Sequence, residues 1–387
     1  MKILLISGSL PAVHCGIGDY TATLARTLAA ERGTSVEIMT TTTPLHDPSA
    51  VQPAAVVASV PRWGWRALGQ ILATVRRRRP DVVHVQYPAV GYNRALGIVF
   101  APLAVRLLTH TPVVLTIHER RERGRLSRLA IDVMAISASR VVLLDPIEAD
   151  DLRRHVPGLG ERVVMAQMLS TIPVQPDVDR GAIRARLGAG ADDLLIATFG
   201  LIHPRRRIEA IVDALGILQQ RGVGAHLLII GAEAEYDQAI ATAYVRRLRD
   251  QVGASGKSGV VTWLGYVKPA ELSAYLQASD VGVLLYPTGA SRRNTTLRAA
   301  IEHALPVVTT DGPATPADLR QVPSLGFVSV DDPPEHIADA ILAMRRSAPR
   351  AVTAQAHERN LRDQVDRHLA LYRSLSQARP RPSDLLP

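Results

Sequence analysis

Short apolar runs, many of them β-branched, alternate along the chain with longer segments in which apolar residues recur at helical spacing. In the first half of the chain the runs lie at 2–7, 35–41, 81–86, 112–118 and 140–145. A typical intervening segment, DYTATLARTLAAE at 19–31, has the amphipathic spacing of a helix. Buried runs of this length that alternate with helices predict a parallel sheet covered on both faces.

The same alternation begins again at residue 193. The second series of apolar runs lies at 193–200, 225–231, 259–265, 280–287, 305–310 and 325–329. Between the two series, residues 170–193 contain prolines, glycines and mixed charges, which is typical of a linker. The pattern therefore predicts an α/β protein with two doubly wound, Rossmann-like domains that face each other across a cleft.

Composition narrows the class of protein. Of 387 residues, 47% are hydrophobic and 21% are charged, which suits a globular core. A single cysteine excludes an intrachain disulfide and a cysteine zinc cluster, and fits a reducing cytoplasm. The longest apolar stretch, 96–105, is far shorter than the ~20 residues that span a bilayer. We therefore predict a cytoplasmic protein.

The charge balance is basic and depends mostly on arginine. There are 45 basic and 36 acidic residues, for a formal charge of +9. Arginine suits phosphate recognition, because its planar fork binds oxygens bidentately. A basic balance favours nucleotide phosphates, anionic lipid or nucleic acid as partners. Because zinc spacing, an RNA-binding aromatic signature and a basic tail are all absent from the sequence, we expect no nucleic-acid partner.

Two junctions between a strand and a helix carry arginines in the second half. Arg293 precedes a helix for which Thr295 or Thr296 is the expected N-cap. In FGLIHPRRRIEAIVDAL (199–215), Gly200 is followed by three arginines at a predicted helix start, Arg206 among them. Cations are unfavourable there unless an anion is also present, so the pattern predicts a diphosphate site. The alternative is an ordinary pair of helix starts with solvated arginines.

Candidate residues in the first half lie at the ends of predicted strands. Gly16 and Gly18 stand in a predicted loop before a helix, where glycine lets a ligand approach the backbone. The third glycine of the dinucleotide fingerprint is missing. His118 ends the strand VVLTIH, and Gln86 and Tyr87 end DVVHVQYP (81–88). Each of these three side chains is either a substrate contact or a structural residue.

Taken together, these segments resemble those of a known family. The whole chain resembles glycosyltransferases of the two-domain GT-B architecture, close to the large family 4 of retaining, nucleotide-sugar-dependent enzymes. The matching segments are CGIGDYTATLARTL, DVVHVQYP, VVLTIHE, FGLIHPRRRIEAIVDAL and GASRRNTTLRAAIEHALPVVTT, in this order along the chain. Each segment alone is only moderately specific for the family. Together, in this order and at this spacing, they are strong evidence for the resemblance.

The resemblance implies transfer of a sugar from a nucleotide diphosphate sugar to an acceptor hydroxyl with retention, and without a metal or another cofactor. It implies that Arg206 and Arg293 neutralise the diphosphate and that His118 lies near the reacting sugar. The implied donor-binding residues are Gly16, Gly18, Gly200, Arg206, Ser291, Arg293, Thr295 and Thr296. The expected acceptor-binding residues are Asp19, Tyr20, Gln86 and Tyr87. The nucleotide base is expected near Gly265, Tyr266 and Val267.

The resemblance also implies a domain division, because the last helix, predicted at 357–375, crosses back onto the first domain in this family. The first, acceptor-side domain would comprise 1–172 and 357–387. The second, donor-binding domain would comprise 173–356.

The donor-site segment departs from the family pattern. Most members have two glutamates eight positions apart, one for the transferred sugar and one for the ribose, where this chain has Ser291 and Ala299. Donor recognition must therefore differ. The alternatives are a non-catalytic, nucleotide-binding partner subunit, or a GT-B epimerase or phosphorylase. An epimerase would need carboxylates in the cleft, and a phosphorylase would need a suitably placed lysine, for which only Lys257 and Lys268 are available.

The acceptor is left open as a glycan, a lipid-linked sugar or a small molecule. Trp63, Trp65 and the arginines at 76–79 form a basic, aromatic segment, and Arg120 and its neighbours add to the charge. Such a segment is either a peripheral contact with anionic lipid at the inner face of the membrane or a solvated helix face.

Overall fold

The computed structural model describes residues 1–11, 15–43, 48–93, 95–121, 123–234, 237–346 and 354–377. The chain forms two compact units. The first unit comprises Met1–Leu169 and Asn360–Pro387, and the second comprises Ser170–Arg359. The observed unit boundaries lie at 169/170 and 359/360. The family resemblance implied boundaries close to these, at 172/173 and 356/357.

A seven-stranded parallel sheet forms the first unit, in the order β3-β2-β1-β4-β5-β6-β7. Its strands are β1 Lys2–Ser7, β2 Ser35–Thr41, β3 Ala55–Val60, β4 Val82–Tyr87, β5 Val113–Ile117, β6 Arg140–Leu143 and β7 Val163–Met165. In the central register, Leu5 of β1 lies beside Ile38 on one side and His84 on the other.

Helices cover both faces of this sheet. They are α1 Gly16–Ala30, α2 Trp65–Arg78, α3 Leu96–Val99, α4 Ala101–Thr109, α5 Arg125–Ser137, α6 Pro146–His155 and the chain-terminal α13 Ala354–Gln377. Leu4 and Ile6 pack in the core under α2, α4 and α5. Ile3 and Leu5 pack in the opposite core, with α1 and α13. This two-sided burial is the reason that the central strands are apolar without alternation.

A six-stranded parallel sheet forms the second unit, in the order β10-β9-β8-β11-β12-β13. Its strands are β8 Leu194–Phe199, β9 Ala225–Ile230, β10 Val261–Gly265, β11 Val281–Leu284, β12 Val307–Asp311 and β13 Leu325–Ser329. Its helices are α7 Arg180–Arg186, α8 Ile208–Gln220, α9 Gln238–Ala254, α10 Pro269–Ala278, α11 Thr295–Glu302 and α12 Pro334–Arg345. Short 3₁₀ turns lie at Pro48–Val51, Val90–Tyr92, Gly160–Arg162, Pro204–Arg206 and Leu319–Gln321.

The predicted α/β class, with two doubly wound Rossmann-like domains, is confirmed. In each sheet the strand order reverses between two neighbouring strands, β1 and β4 in the first unit and β8 and β11 in the second. Ligands of such sheets bind beside this reversal, at the carboxyl ends of the strands. The sequence pattern missed β3 and β7, both of which lie at an edge of the first sheet. β3 is largely exposed and β7 has three residues, so neither produces a buried apolar run.

Candidate functional site

A glycine at the carboxyl end of β8 allows two side chains to approach the strand. Gly200 has a φ of +113°, which residues with a side chain rarely adopt. A Cβ atom on Gly200 would lie 2.8 Å from Cγ2 of Thr296 and 2.9 Å from Nη2 of Arg206. Any side chain at position 200 would therefore push Arg206 and Thr296 away from the strand end.

The three arginines after Gly200 have different environments. The prediction that they begin a helix is wrong, because they form the 3₁₀ turn Pro204–Arg206, Arg207 has a φ of 48°, and α8 begins at Ile208. Arg205 is exposed, and Arg207 donates to the carbonyl of Val330. Arg206 alone lies against Gly200. The irregular turn thus directs one guanidinium to the strand end.

Arg206, Tyr286 and Thr296 form a compact corner beside Gly200. The Arg206 guanidinium carbon lies 4.9 Å from the centre of the Tyr286 ring, and Nη2 lies 3.4 Å from Oγ1 of Thr296. The Tyr286 hydroxyl is hydrogen-bonded to the same Oγ1 at 2.8 Å. Nη1 of Arg206 is buried and has no hydrogen-bond partner among the described residues. A buried N–H without a partner is costly, so this corner is suited to receive an anion.

Helix α11 begins at this corner without a side-chain cap. The expected N-cap, Thr295 or Thr296, is wrong by one or two residues, because the cap position is Asn294. Asn294 does not cap the helix, since its Oδ1 accepts from the backbone N–H of Ser291 at 2.7 Å. The start of α11 therefore presents backbone N–H groups and the positive end of the helix dipole. Arg293, half-buried, directly precedes the cap residue.

A pocket of about 420 Å³ adjoins this corner. It is lined by Ile202, Gly231, Ala232, Glu233, Val245, Arg249, Trp263, Leu264 and Gly265. Gly231 connects it to the corner, because a Cβ atom there would lie 1.9 Å from the carbonyl oxygen of Gly200. The guanidinium carbon of Arg249 lies 4.9 Å from the centre of the Trp263 ring. The pocket thus reaches the carboxyl end of β10, where the resemblance placed a nucleotide base.

In the first unit, both glycines of the predicted loop belong to a helix. Gly16 and Gly18 lie in the first turn of α1, so the expectation of a loop at these positions is wrong. Gly16 is exposed, whereas a Cβ atom on Gly18 would lie 3.1 Å from the backbone carbon of Leu10. Asp19 donates its backbone N–H to the carbonyl of Cys15. Residues 12–14 of the same loop lie outside the described residues.

His118 is surrounded by two other residues predicted for the site. Its Nε2 lies 2.8 Å from Oε1 of Gln86, and its ring meets that of Tyr20 edge to face, with ring centres 5.1 Å apart. Tyr20 and Gln86 have no exposed surface, and burial raises the pKa of Tyr20. Tyr87 is 7% exposed and stacks on Tyr92. Contact of these residues with an acceptor stays a prediction.

Behind Gln86 lies a group of polar side chains that was not predicted. Nε2 of Gln86 lies 3.1 Å from Nε2 of His84, whose Nδ1 lies 2.6 Å from the Tyr372 hydroxyl. The Thr116 hydroxyl lies 2.7 Å from Nε2 of His84. Burial, together with the nearby His368 and His118, lowers the pKa of His84 well below its usual value. The sequence contained one sign of this group, because polar residues at positions 84 and 86 of a buried strand must share one face.

Two family models match the chain, one in each unit. Residues 15–166 match the glycosyl transferase 4-like domain, and residues 193–347 match the glycosyl transferases group 1 domain. The chain belongs to the family 4-like glycosyltransferases of the GT-B architecture. The family that the sequence motifs resembled is thus confirmed.

Three solved structures illustrate the fold that this glycosyltransferase shares with other proteins. Sucrose-phosphate synthase from Thermosynechococcus elongatus is 20% identical, with a TM-score of 0.71 over 98% of this chain and 100% of that one. Anabaena HepE in complex with UDP and glucose is 14% identical, with a TM-score of 0.65 over 97% of each chain. The UDP-GlcNAc 2-epimerase from Methanocaldococcus jannaschii is 13% identical, with a TM-score of 0.60 over 96% of this chain and 100% of that one. No curated protein matches the sequence.

The glycosyltransferase has no carboxylate at the two positions where most of its family has glutamate. Ser291 is 3% exposed, and both its N–H and its hydroxyl contact Oδ1 of Asn294. Ala299 is 1% exposed and packs in the apolar core beside Leu297 and Ala300. Position 299, where the resemblance implied a ribose contact, therefore lies on a tightly packed, apolar helix face.

Glu302, one turn beyond Ala299, has a structural role in the glycosyltransferase. It is 8% exposed, accepts from Nε of Arg298 at 2.6 Å and is bonded to Nδ1 of His357. Burial raises the pKa of Glu302. The hydrogen bond to His357 and the charge of Arg298 lower it by more than burial raises it, so the net effect is a lowered pKa. Glu302 thus joins α11 to the first turns of α13.

Two residues assigned to the basic surface of the glycosyltransferase are buried instead. Trp63 is 1% exposed and donates from its ring N–H to Oγ1 of Thr41 at 2.8 Å. Arg120 is 2% exposed and is paired with Asp132 and Asp151. Their assignment to the surface is therefore wrong.

Among the described residues of the glycosyltransferase, no group of three or more His, Cys, Asp or Glu side chains is placed to hold a metal ion. Among the same residues, no helix is both long and apolar enough to cross a bilayer.

Proposed function

We propose that this glycosyltransferase transfers a hexose from a nucleotide diphosphate sugar to an acceptor hydroxyl with retention and without a metal. The observation that carries the proposal is the buried Nη1 of Arg206, which has no partner among the described residues, beside the start of α11, which has no side-chain cap. A diphosphate would satisfy both groups at once. The expected setting is the assembly of a polysaccharide, a glycolipid or a glycosylated natural product.

The charge of the corner suits the departing group. When the bond between the sugar C1 and the diphosphate oxygen breaks, negative charge grows on the diphosphate. Arg206, Arg293 and the N–H groups at the start of α11 are fixed in place before the reaction, so they stabilise that charge without reorganising. These cationic and dipolar groups provide the neutralisation that a divalent metal provides in other transferases.

Retention requires the acceptor oxygen to bond C1 on the face from which the diphosphate leaves. In the same step the acceptor hydroxyl loses its proton, and a departing phosphate oxygen takes it. The segment between Tyr286 and Ile301 contains no carboxylate to act as a nucleophile or a general base. A proton transfer to the leaving diphosphate therefore fits the residues of this corner better than a transfer to a side chain. His118 of the first unit would hydrogen-bond the substrate.

The nucleoside would occupy the pocket beside Gly231 and Gly265. Its volume of about 420 Å³ lies in the range of small-molecule sites, and Trp263 offers an aromatic surface. HepE, which shares the fold, was solved with UDP and glucose. We propose a nucleoside diphosphate sugar as donor here and leave the base to the experiment.

Calorimetric titration with UDP, GDP and ADP in EDTA tests the donor, and product analysis by NMR tests the stereochemistry. We expect one nucleotide to bind with a micromolar or lower Kd without Mg²⁺. Transfer from the matching sugar nucleotide should give a product with the anomeric configuration of the donor. An inverted product would overturn retention, and binding that requires Mg²⁺ would overturn metal independence.

A second candidate function is favoured by the packing of Ala299. The family position for ribose recognition is filled by a buried methyl group, which suits a partner subunit that binds a nucleotide without catalysing transfer. The same experiment separates the two functions. Nucleotide binding without transfer to any tested glycan, lipid-linked or small-molecule acceptor would support the partner subunit.

We also propose a peripheral contact with anionic membrane through α4 and α5. These helices contact each other and bear apolar residues that face solvent. They are Leu103, Leu107 and Leu108 on α4, and Leu126, Leu129 and Ile136 on α5. On α5, Arg125 is exposed beside Leu126, which is 84% exposed. Apolar residues among arginines suit the interface of a bilayer that carries negative headgroups.

Vesicle flotation tests this contact. The protein should float with phosphatidylglycerol vesicles and not with phosphatidylcholine vesicles. Leu126→Ser with Leu129→Ser should reduce flotation at least tenfold, whereas Ile240→Ser, at a residue 52% exposed on α9, should not change it. If the double variant floats normally, or if the exposed leucines instead drive self-association in light scattering, the membrane proposal is wrong.

A further inference from the structure

A buried line of polar side chains connects the terminal helix α13 to His118. The Tyr372 hydroxyl of α13 lies 2.6 Å from Nδ1 of His84. Nε2 of His84 lies 3.1 Å from Nε2 of Gln86, and Oε1 of Gln86 lies 2.8 Å from Nε2 of His118. Tyr372, His84 and Gln86 each have no exposed surface, and His118 is 5% exposed. All four residues belong to the first unit.

The donor and acceptor chemistry of these groups fixes which atom donates in each hydrogen bond of the line. A carboxamide NH₂ only donates, so Nε2 of His84 must accept from Gln86. His84 is neutral because of its burial, and its one ring proton is therefore on Nδ1, from which it donates to the Tyr372 oxygen. At the other end, the amide oxygen of Gln86 only accepts, so Nε2 of His118 must carry a proton. In a neutral ring this leaves the lone pair of His118 on Nδ1.

We propose that Tyr372, His84 and Gln86 are positioning residues that hold His118 in the Nε2–H tautomer and fix the orientation of its ring. The inference deepens the proposed sugar transfer, and its kinetic part rests on that function. Its spectroscopic part does not, because the tautomer exists with or without a substrate. In this tautomer, His118 meets a substrate hydroxyl as a hydrogen-bond acceptor.

The sequence of α13 supports a role beyond packing. Gln364, His368 and Tyr372 recur at every fourth position and are 2%, 2% and 0% exposed, so they form one buried polar stripe. The same face of α13 also buries Val365 and Leu369 in the apolar core. Burying polar groups costs free energy unless they are hydrogen-bonded, and leucine at position 372 would pack without that requirement. The hydroxyl of Tyr372 is the group that gives His84 its partner.

The side chains that form this line or adjoin it come from four elements. α1 contributes Tyr20, β4 contributes His84 and Gln86, β5 contributes Thr116, and α13 contributes His368 and Tyr372. All of them are neutral side chains in the buried state, since burial lowers the pKa of His84 and His368 and raises that of Tyr20 and Tyr372. These side chains therefore act on His118 through hydrogen-bond direction and not through charge.

Long-range ¹H–¹⁵N NMR of ring-labelled histidine tests the tautomer directly. His118 is assigned from the signal that disappears in His118→Gln. The wild-type protein should show His118 as Nε2–H. Gln86→Leu removes the acceptor and should convert at least half of His118 to the other tautomer. Gln86→Glu keeps an acceptor oxygen and should preserve Nε2–H, while its charge raises the pKa of His118 in a titration.

Tyr372→Phe tests the remote end of the line. It should lower kcat about tenfold, the size of one buried hydrogen bond, and leave the KM for the donor within about twofold. The matched control is Tyr92→Phe, which removes a buried hydroxyl that donates to the carbonyl of Ile6 at 3.2 Å in the same unit. The control should change neither the tautomer nor the pH dependence of kcat.

Two results would overturn the inference. One is a wild-type His118 in the Nδ1–H tautomer. The other is a Tyr372→Phe protein that matches Tyr92→Phe in both tautomer and pH profile. If wild-type protein transfers no sugar but shows Nε2–H at His118 that Gln86→Leu abolishes, the proposed transfer fails and the positioning role stands.

Discussion

The two units place opposite kinds of polar site at the carboxyl ends of their sheets. In the second unit, Arg206 has a buried N–H group without a partner among the described residues, and the start of α11 has no side-chain cap. In the first unit, His118 is hydrogen-bonded to Gln86, and Gln86 to His84, in a buried group of polar side chains. One site therefore has unsatisfied positive character, whereas the other has a series of hydrogen bonds with a fixed direction.

This difference suggests that the two units have different roles in the proposed sugar transfer. A cationic corner that has a buried N–H group without a partner among the described residues forms its strongest hydrogen bonds with a negatively charged ligand, such as a diphosphate. A series of hydrogen bonds between polar side chains holds one side chain in one geometry, which matters for a reacting group. The predictions below begin with the charged corner, where single groups should have the largest effects.

The largest expected effect is the loss of nucleotide binding when both arginines of the corner are removed. Arg206→Ala with Arg293→Ala should weaken the Kd of the preferred nucleotide about 1000-fold, because each charged hydrogen bond contributes about 2 kcal/mol. Calorimetric titration measures the change. The matched control is Arg205→Ala with Arg292→Ala, which removes an exposed arginine and one paired with Asp318. Equal losses in the two double variants would mean that general charge, and not the corner, binds the nucleotide.

The charged corner was largely predictable from sequence because its parts are local. Gly200 and Arg206 lie six positions apart, and Arg293, Thr295 and Thr296 lie in one short segment, so helix-start rules applied to each. Helix-start rules did not show which of the arginines after Gly200 would reach the strand end, and only the family resemblance singled out Arg206. That choice depends on the left-handed backbone at Arg207, and Tyr286 joins the corner only through the folded loop.

The neutral network was largely hidden because its parts are distant. His84 and Tyr372 are separated by 288 positions, and Gln86 and His118 by 32. The pattern of β4 showed that two polar residues share a buried face. Rules based on neighbouring residues cannot predict their hydrogen-bond partners on β5 and α13, which are distant in sequence. For the same reason, Trp63 was assigned to the surface, although it is buried and its ring N–H donates to Oγ1 of Thr41.

The second prediction concerns the missing ribose carboxylate. Ala299→Glu should lower the free energy of unfolding of the second unit by about 3 kcal/mol, because it would bury a charge in an apolar core. Urea unfolding followed by hydrogen exchange, with peptides from each unit, measures the change. Ala299→Gln has nearly the same shape without the charge and separates size from charge. A stable Ala299→Glu protein with tighter nucleotide binding would show instead that the site accepts the family glutamate.

The third prediction compares the two units across pH. Burial lowers the pKa of His84 and His368 in the first unit and of His303 in the second, so each stays neutral while folded as the unfolded chain takes up protons. Their stabilising contribution is therefore complete above the unfolded pKa of about 6.5 and is lost as pH falls. Each histidine adds a slope that approaches about 1.4 kcal/mol per pH unit.

With two such histidines against one, the first unit should lose stability more steeply than the second between pH 6.5 and 5.5. The same unit-resolved urea unfolding at several pH values measures both slopes. His368→Gln should reduce the slope of the first unit and leave that of the second unchanged. Equal slopes in the wild-type protein would show that one of the two buried histidines of the first unit takes up a proton as readily as it does in the unfolded chain.

The smallest expected effect concerns the turn before α11. Asn294→Ala removes the oxygen that accepts from the backbone N–H of Ser291 at 2.7 Å, so the segment that carries Arg293 loses its brace. We expect about 1 kcal/mol weaker nucleotide binding, or a Kd about fivefold higher, together with faster hydrogen exchange at the Ser291 amide. Asn294→Asp keeps the accepting oxygen and adds a negative charge at the anion site. It should therefore protect the Ser291 amide and still weaken binding, which separates the geometry of the corner from its charge. If Asn294→Asp binds the nucleotide as tightly as wild type, the start of α11 does not contact the diphosphate.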